Sequence, residues 1–112
     1  MDATTMGALT SVTDESFEAV VLGSQQPVLV EYWAPWCVPC LQLAPVLTTL
    51  AAENAGQLAV VKLNIDENPL TTQRYQILSV PTMSLFSGGE VVKQVVGLRP
   101  ASALKREFAP YL

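Results

Sequence analysis

A chain of 112 residues, half of them hydrophobic and 14% charged, has enough apolar content for one buried core and too little charge for a disordered segment. Its net charge is −4 and its six Lys and Arg are dispersed, which argues against nucleic acid and against an anionic membrane surface as partners. No apolar run approaches the roughly 20 residues of a membrane span, and Met1-Asp2-Ala3-Thr4-Thr5-Met6 lacks the basic and apolar regions of a signal peptide, so the expected location is a reducing cytoplasm.

A short first strand fits Ala8 to Val12. Thr13 can cap a helix with Asp14 and Glu15 in its first turn, where the helix dipole favours acids. That helix places Phe17, Val20 and Val21 on one side and ends at Gly23. The run Pro27 to Trp33 is apolar at nearly every position, which predicts a strand buried on both faces, as in a parallel sheet.

Next comes Trp36-Cys37-Val38-Pro39-Cys40, which holds the only two cysteines. At a helix start, positions i and i+3 share a face with Cβ atoms about 5–6 Å apart. A disulfide needs about 3.5–4.5 Å, so a small adjustment closes the bond. Pro39 suits the first turn, where its missing N–H costs nothing. The pattern therefore predicts reversible two-electron thiol–disulfide exchange. Three duller explanations compete. A structural disulfide closing so small a loop would constrain the unfolded chain only weakly. A zinc half-site would need a second chain, because there is no His and no third Cys. Two inert core thiols are the third.

A long helix follows from about Cys37 to Asn54, with Pro45 inside it and Gly56 stopping it. Leu58 to Ile65 is a second buried strand. Asn68 and Pro69 are the cap and first position of a short helix ending near Tyr75. Thr82 to Phe86 and Glu90 to Val96 are strands joined by a hairpin turn at Ser87-Gly88-Gly89. Pro100 opens a last helix with Leu104 and Phe108 turned to the core. The order β-α-β-α-β-α-β-β-α predicts an α/β fold with right-handed parallel crossovers, a closing antiparallel hairpin and helices on both faces of a mixed sheet. Residues 1–7 are expected to be a flexible N-terminal extension and residues 8–112 a single domain.

Taken together, Trp33-Ala34-Pro35-Trp36-Cys37-Val38-Pro39-Cys40, Pro45, Lys62-Leu63-Asn64-Ile65-Asp66, Val80-Pro81-Thr82, Gly88-Gly89-Glu90 and Gly97 resemble the thioredoxin family, in the right order and over nearly the whole chain. The resemblance implies a thioredoxin fold of about five strands and four helices. It implies a protein disulfide reductase that carries electrons from a thioredoxin reductase to disulfide-containing proteins, as a monomer without cofactor or metal. It makes Cys37 the exposed nucleophile and Cys40 the buried resolving thiol, with Pro39 between them. Pro81 would be a cis-proline beside the disulfide. Trp36, Val80, Pro81, Val96 and Gly97 would frame a groove for an extended substrate segment, with Glu31 and Lys62 behind the cysteines.

Elementary chemistry meets several of these expectations. Cys37 at a helix N-terminus faces free N–H groups and the positive end of the dipole, both of which favour thiolate. Burial would raise the Cys40 pKa, so that thiol needs a base. Glu31 is the only carboxylate in an apolar strand; it either serves there or pairs structurally with Lys62. Tyr32 is read as a core aromatic, and Gly97 either as a bulge or as a point of close backbone approach. The chain departs from the family at Val38, where glycine is usual, at Glu31, where aspartate is usual, and at Leu41, where a basic residue is common. Two rival functions remain open. An oxidase or isomerase of the same fold would differ in redox titration, and a binding module would keep its partner after both cysteines become serine.

Overall fold

The structure is a computed structural model that describes residues 9–112. The expected N-terminal extension, and Ala8 at the start of the first strand, lie outside them. Five strands form one mixed sheet in the order β1-β3-β2-β4-β5. They are β1 (Thr10–Ser11), β2 (Val28–Trp33), β3 (Ala59–Asn64), β4 (Thr82–Ser87) and β5 (Glu90–Val96). The first three are mutually parallel, and β4 and β5 run antiparallel, as the alternation followed by a hairpin predicts.

Side chains alternate across the sheet. Leu29, Val60, Met83, Leu85 and Val95 pack with Leu43, Leu47 and Leu50 of α2 (Val38–Glu53) and with Leu104 and Phe108 of α4 (Ala101–Phe108). On the opposite face Val28, Val30, Tyr32, Val61, Leu63 and Phe86 pack with Phe17, Val21 and Ile77. Phe17, Tyr75 and Phe86 meet there with ring centroids 5.3–5.6 Å apart, two of the pairs edge to face. Tyr32 is fully buried, a core aromatic as expected. The residue pattern puts Glu31 and Lys62 on the α2 face, since they alternate with Val30, Tyr32, Val61 and Leu63.

The first helical segment departs from expectation. Thr13 Oγ1 accepts the Ser16 N–H at 3.2 Å and Ser16 Oγ accepts the Thr13 N–H at 2.9 Å, a reciprocal cap. The segment α1 (Glu18–Leu22) is a π-helix closed by the Gly23 N–H on the Glu18 carbonyl at 2.8 Å. Its wider turn keeps Phe17 and Val21 inside and swings Val20 outward, so Val20 does not share their face.

The short helix α3 (Pro69–Arg74) is also capped differently. Asn68 occupies the cap position but its side chain does not cap. The carboxylate of Asp14 does so instead, accepting the Leu70 N–H at 3.2 Å and the Thr71 N–H at 2.8 Å. The helix ends on Gln76 in the left-handed region (φ 55°). Ile77 N–H reaches the Thr72 carbonyl and Gln76 N–H the Gln73 carbonyl, both at 3.0 Å, a Schellman ending with a non-glycine residue at its left-handed position. Gly88 and Gly89, both at positive φ, make the two-residue β4–β5 turn.

Candidate active site

The site is built where β2 hands over to α2. Cys37 is extended (φ −91°, ψ 103°) and stands as the N-cap of α2, with Val38 and Pro39 as the first helical residues. Pro39 fits because its place in the helix asks for no N–H donor. The helix then runs on through Pro45, which removes the N–H that the Leu41 carbonyl would otherwise accept. Cys37 and Cys40 form a disulfide with Cα atoms 5.3 Å apart. The Cys40 N–H points at the Cys37 sulfur from 3.2 Å. When the bond is reduced, that donor and the helix dipole favour negative charge on Cys37 rather than on Cys40.

Cys37 was expected to be exposed and is not: it is 4% exposed, and Cys40 2%. Both sulfurs sit in a small apolar cluster with Ala34, against which Trp33, Ile65 and Val80 pack. Val80 comes from the loop before β4 and Ile65 from the loop after β3, so the covering side chains are supplied by segments remote in sequence. What lies open is the rim. Trp36 is 65% exposed, and Val38, Leu41 and Val96 are exposed with it.

The Val80–Pro81 peptide bond is cis, as the resemblance implied. The Pro81 carbonyl accepts the Gly97 N–H at 2.8 Å, which ties the loop before β4 to the end of β5. Gly97 needs to be glycine: its φ is +94°, and a Cβ there would stand 3.2 Å from the Arg99 guanidinium. Thus Val80, Pro81 and Gly97 are brought together beside the disulfide, with Val96 one residue away and Trp36 on the flank next to Cys37.

Behind the disulfide, Glu31, Trp33, Cys40, Leu41, Thr48 and Lys62 line one cavity of about 160 Å³. Glu31 is 2% exposed, and its Oε2 finds no hydrogen-bond partner among the described residues. Burial pushes its carboxyl up to about 7, with the Lys62 charge pulling the other way. Lys62 neighbours Glu31 in the β2–β3 register, and its ammonium lies over the Trp33 ring, 4.9 Å from the centroid. A carboxyl poised near neutrality, in the same cavity as a buried thiol, can exchange a proton with it. Among the described residues no three His, Cys, Asp or Glu side chains are grouped to hold a metal ion.

Sequence reasoning gave no role to Asp66, which accepts the Trp36 indole N–H at 2.9 Å. It also missed Ile65 against the sulfurs and Leu78, 95% exposed in the loop leading to Val80. The Asp66 bond had a signal. Asn64, Asp66 and Asn68 are short polar residues at alternate positions just after an apolar strand, a composition that makes side chain-to-backbone turns.

A thioredoxin family model matches residues 8–109. A thioredoxin of Streptomyces clavuligerus is 53% identical over 100 residues, covering 89% of this chain and 92% of that protein. A thioredoxin of Mycolicibacterium smegmatis is 49% identical over 107 residues, covering 94% and 96%. A bifunctional thioredoxin reductase/thioredoxin of Mycobacterium leprae (strain TN) is 48% identical over 108 residues, which are 96% of this chain and 24% of that one. No helix among the described residues is long and apolar enough to cross a membrane.

Proposed function

The chain belongs to the thioredoxin family and is a protein disulfide reductase working through the Cys37–Cys40 pair, and from that premise we propose how its residues divide the reaction. The observation that carries the assignment is the disulfide itself, at the first turn of α2 and packed against Val80.

In the reduced protein, the Cys37 thiolate attacks one sulfur of a target disulfide. That bond breaks, one target sulfur leaves as a thiolate, and a mixed disulfide joins Cys37 to the other. Cys40 then gives its proton to Glu31 and attacks the Cys37 sulfur. The mixed disulfide breaks, the second target sulfur leaves as a thiolate that takes up a proton from Glu31 or solvent, and the Cys37–Cys40 disulfide remains. Two electrons have passed to the target. The Lys62 charge keeps Glu31 from rising further in pKa, so that it can accept a proton at neutral pH. Pro39 stiffens the turn between the two sulfurs. Trp36, Val80, Pro81, Val96 and Gly97 seat an extended stretch of target, which brings its disulfide to Cys37 without a large change in the protein.

A thioredoxin reductase returns the two electrons. The Mycobacterium leprae relative, whose name joins both activities, supports that partnership. The reducing cytoplasm is the compartment in which such a carrier works, as a single domain over residues 8–112 and as a monomer, within electron transport and redox homeostasis. The test is reduction of insulin disulfides by the protein with a thioredoxin reductase and NADPH. Turnover that depends on both cysteines is expected. Insulin left intact while a partner is still bound by the Cys37→Ser, Cys40→Ser double variant would replace this assignment with a binding role.

A further inference from the structure

Five residues, through backbone and side-chain groups, form a continuous run of hydrogen bonds from the turn after β1 to the rim of the disulfide. Asp14 donates its N–H to Asn68 Oδ1 at 2.9 Å. Asn68 donates its side-chain amide and its backbone N–H to the Asn64 carbonyl, at 3.0 and 3.1 Å. Asn64 Oδ1 accepts the Asp66 N–H at 2.9 Å. Asp66 Oδ2 accepts the Trp36 indole N–H at 2.9 Å. Trp36 adjoins Cys37. We propose that Asn68, anchored by the Asp14 backbone N–H, is a positioning residue for disulfide exchange, setting Trp36 at the groove through Asn64 and Asp66.

Three features support this. The segment between Asn64 and Pro69 is a loop in which side-chain bonds add to two backbone bonds, Ile65 N–H to the Trp33 carbonyl at 2.9 Å and Asn68 N–H to the Asn64 carbonyl at 3.1 Å. Asn68, which holds one end of it, is 5% exposed and spends its side chain on two backbone partners. A buried amide used in this way is costly to leave unpaired, so it fixes geometry in addition to stability. The other end carries two residues tied to the site, one at the cysteines and one at the rim. Ile65 packs against the sulfurs, and Asp66 holds an indole that is otherwise mostly in solvent. An exposed tryptophan with one fixed hydrogen bond presents its ring in one orientation, and so less order has to be imposed when a target docks. Asp14 fixes the Asn68 end twice over, because its carboxylate also holds the Leu70 and Thr71 N–H groups while its backbone N–H holds Asn68.

The proposal rests on the disulfide-reductase assignment, and wild-type turnover of insulin tests that assignment on its own. The decisive measurement is a double-mutant cycle in kcat/KM for insulin reduction between Asn68→Ala and Trp36→Phe, which removes the indole N–H. Loss of one ordered hydrogen bond should lower kcat/KM about fivefold for Asn68→Ala in the wild-type background, through KM more than kcat. In the Trp36→Phe background the same change should cost less than twofold, because its route to the groove is already cut. The Trp36 indole N–H proton resonance should move upfield in Asn68→Ala, a readout that needs no turnover. Asn64→Ala, which removes the acceptor of the Asp66 N–H, is carried through the same cycle and decides the matter if Asn68→Ala does not fold. Equal losses in both backgrounds, no loss in either, or an unmoved indole resonance would each overturn the proposal.

Discussion

Glu31 and Lys62 are direct neighbours across the parallel β2–β3 register, yet the Lys62 ammonium lies over the Trp33 ring, 4.9 Å from its centroid, and forms no ion pair with the carboxylate among the described residues. A buried acid has therefore been left with a nearby charge but no bonded cation. Its pKa is raised from 4.5 to about 7 because burial outweighs the attraction of Lys62.

This arrangement sets a pH dependence. Below the unfolded pKa, Glu31 is protonated in both states and costs nothing. As pH climbs from 4.5 toward 7 the unfolded chain releases the proton while the folded protein keeps it, so folding loses stability across that window, and the loss is complete above it. Glu31→Gln should stabilise the fold by roughly 1–3 kcal/mol above neutral pH and leave it unchanged near pH 4. Denaturant unfolding at the two pH values measures the difference. The same variant should slow release of the mixed disulfide, which a stopped-flow resolution assay follows. No change in either quantity would remove Glu31 from the reaction.

The division of labour between the cysteines follows from the Cys40 N–H aimed at the Cys37 sulfur. Cys37→Ser should abolish turnover. Cys40→Ser should attack once and accumulate a mixed disulfide with its target. Mass spectrometry of trapped complexes reads the outcome, and adducts found only with Cys37→Ser would reverse the roles.

Asp14 caps α3 from a distance. Burial raises its pKa, but hydrogen bonds from the Thr71 side chain and the Thr71 and Leu70 N–H groups more than offset that and hold it below its ordinary 3.8. Its contribution is therefore present above the unfolded value and is lost as pH falls through the folded one. Asp14→Ala should cost about 1 kcal/mol at pH 7, as loss of a helix cap does, with the difference fading in acid. Urea unfolding of both proteins at pH 7 and below pH 3.8 tests it; an equal gap at both would place its role elsewhere.

Gln76 holds a left-handed backbone, φ 55°, that side-chain-bearing residues adopt at a cost. Gln76→Gly should stabilise by about 1 kcal/mol, the relief of strain exceeding the added chain entropy. Gln76→Val should destabilise. Paired thermal and denaturant melts give the sign, and a destabilising glycine would mean that the Gln76 side chain holds something the backbone does not reveal.

Local periodicity explains what could be read from the sequence. The apolar run Val28–Trp33, the Gly88-Gly89 turn, and Leu104 with Phe108 on α4 each carry their structural signal within a few residues, and each stands where the pattern puts it. Most of the exceptions are non-local. Nothing near Asn68 announces that Asp14 will take over its capping role, and nothing near Cys37 announces that Val80 and Ile65 will cover it. Val20 was misplaced for a different reason: a π-turn uses the same residues as an α-turn and changes only which of them face inward. Glu31 was legible as an oddity, a carboxylate among apolar neighbours, but its nearness to Cys40 depends on α2 crossing that face of the sheet.

β2 is the strand that joins the two halves of the sheet, bonded in parallel to β3 on one edge and antiparallel to β4 on the other. The cysteines follow directly from its end, but the loop that covers them precedes β4, on the far side of α3 in the chain. During synthesis the two thiols therefore leave the ribosome well before the residues that shelter them. Until β4 docks, they belong to an unfinished sheet whose long-range pairings are the slow ones to form. A nascent chain stopped short of Val80 would hold both sulfurs covered by Trp33 and Ile65 alone, so the last piece of their shelter is also the last to be made.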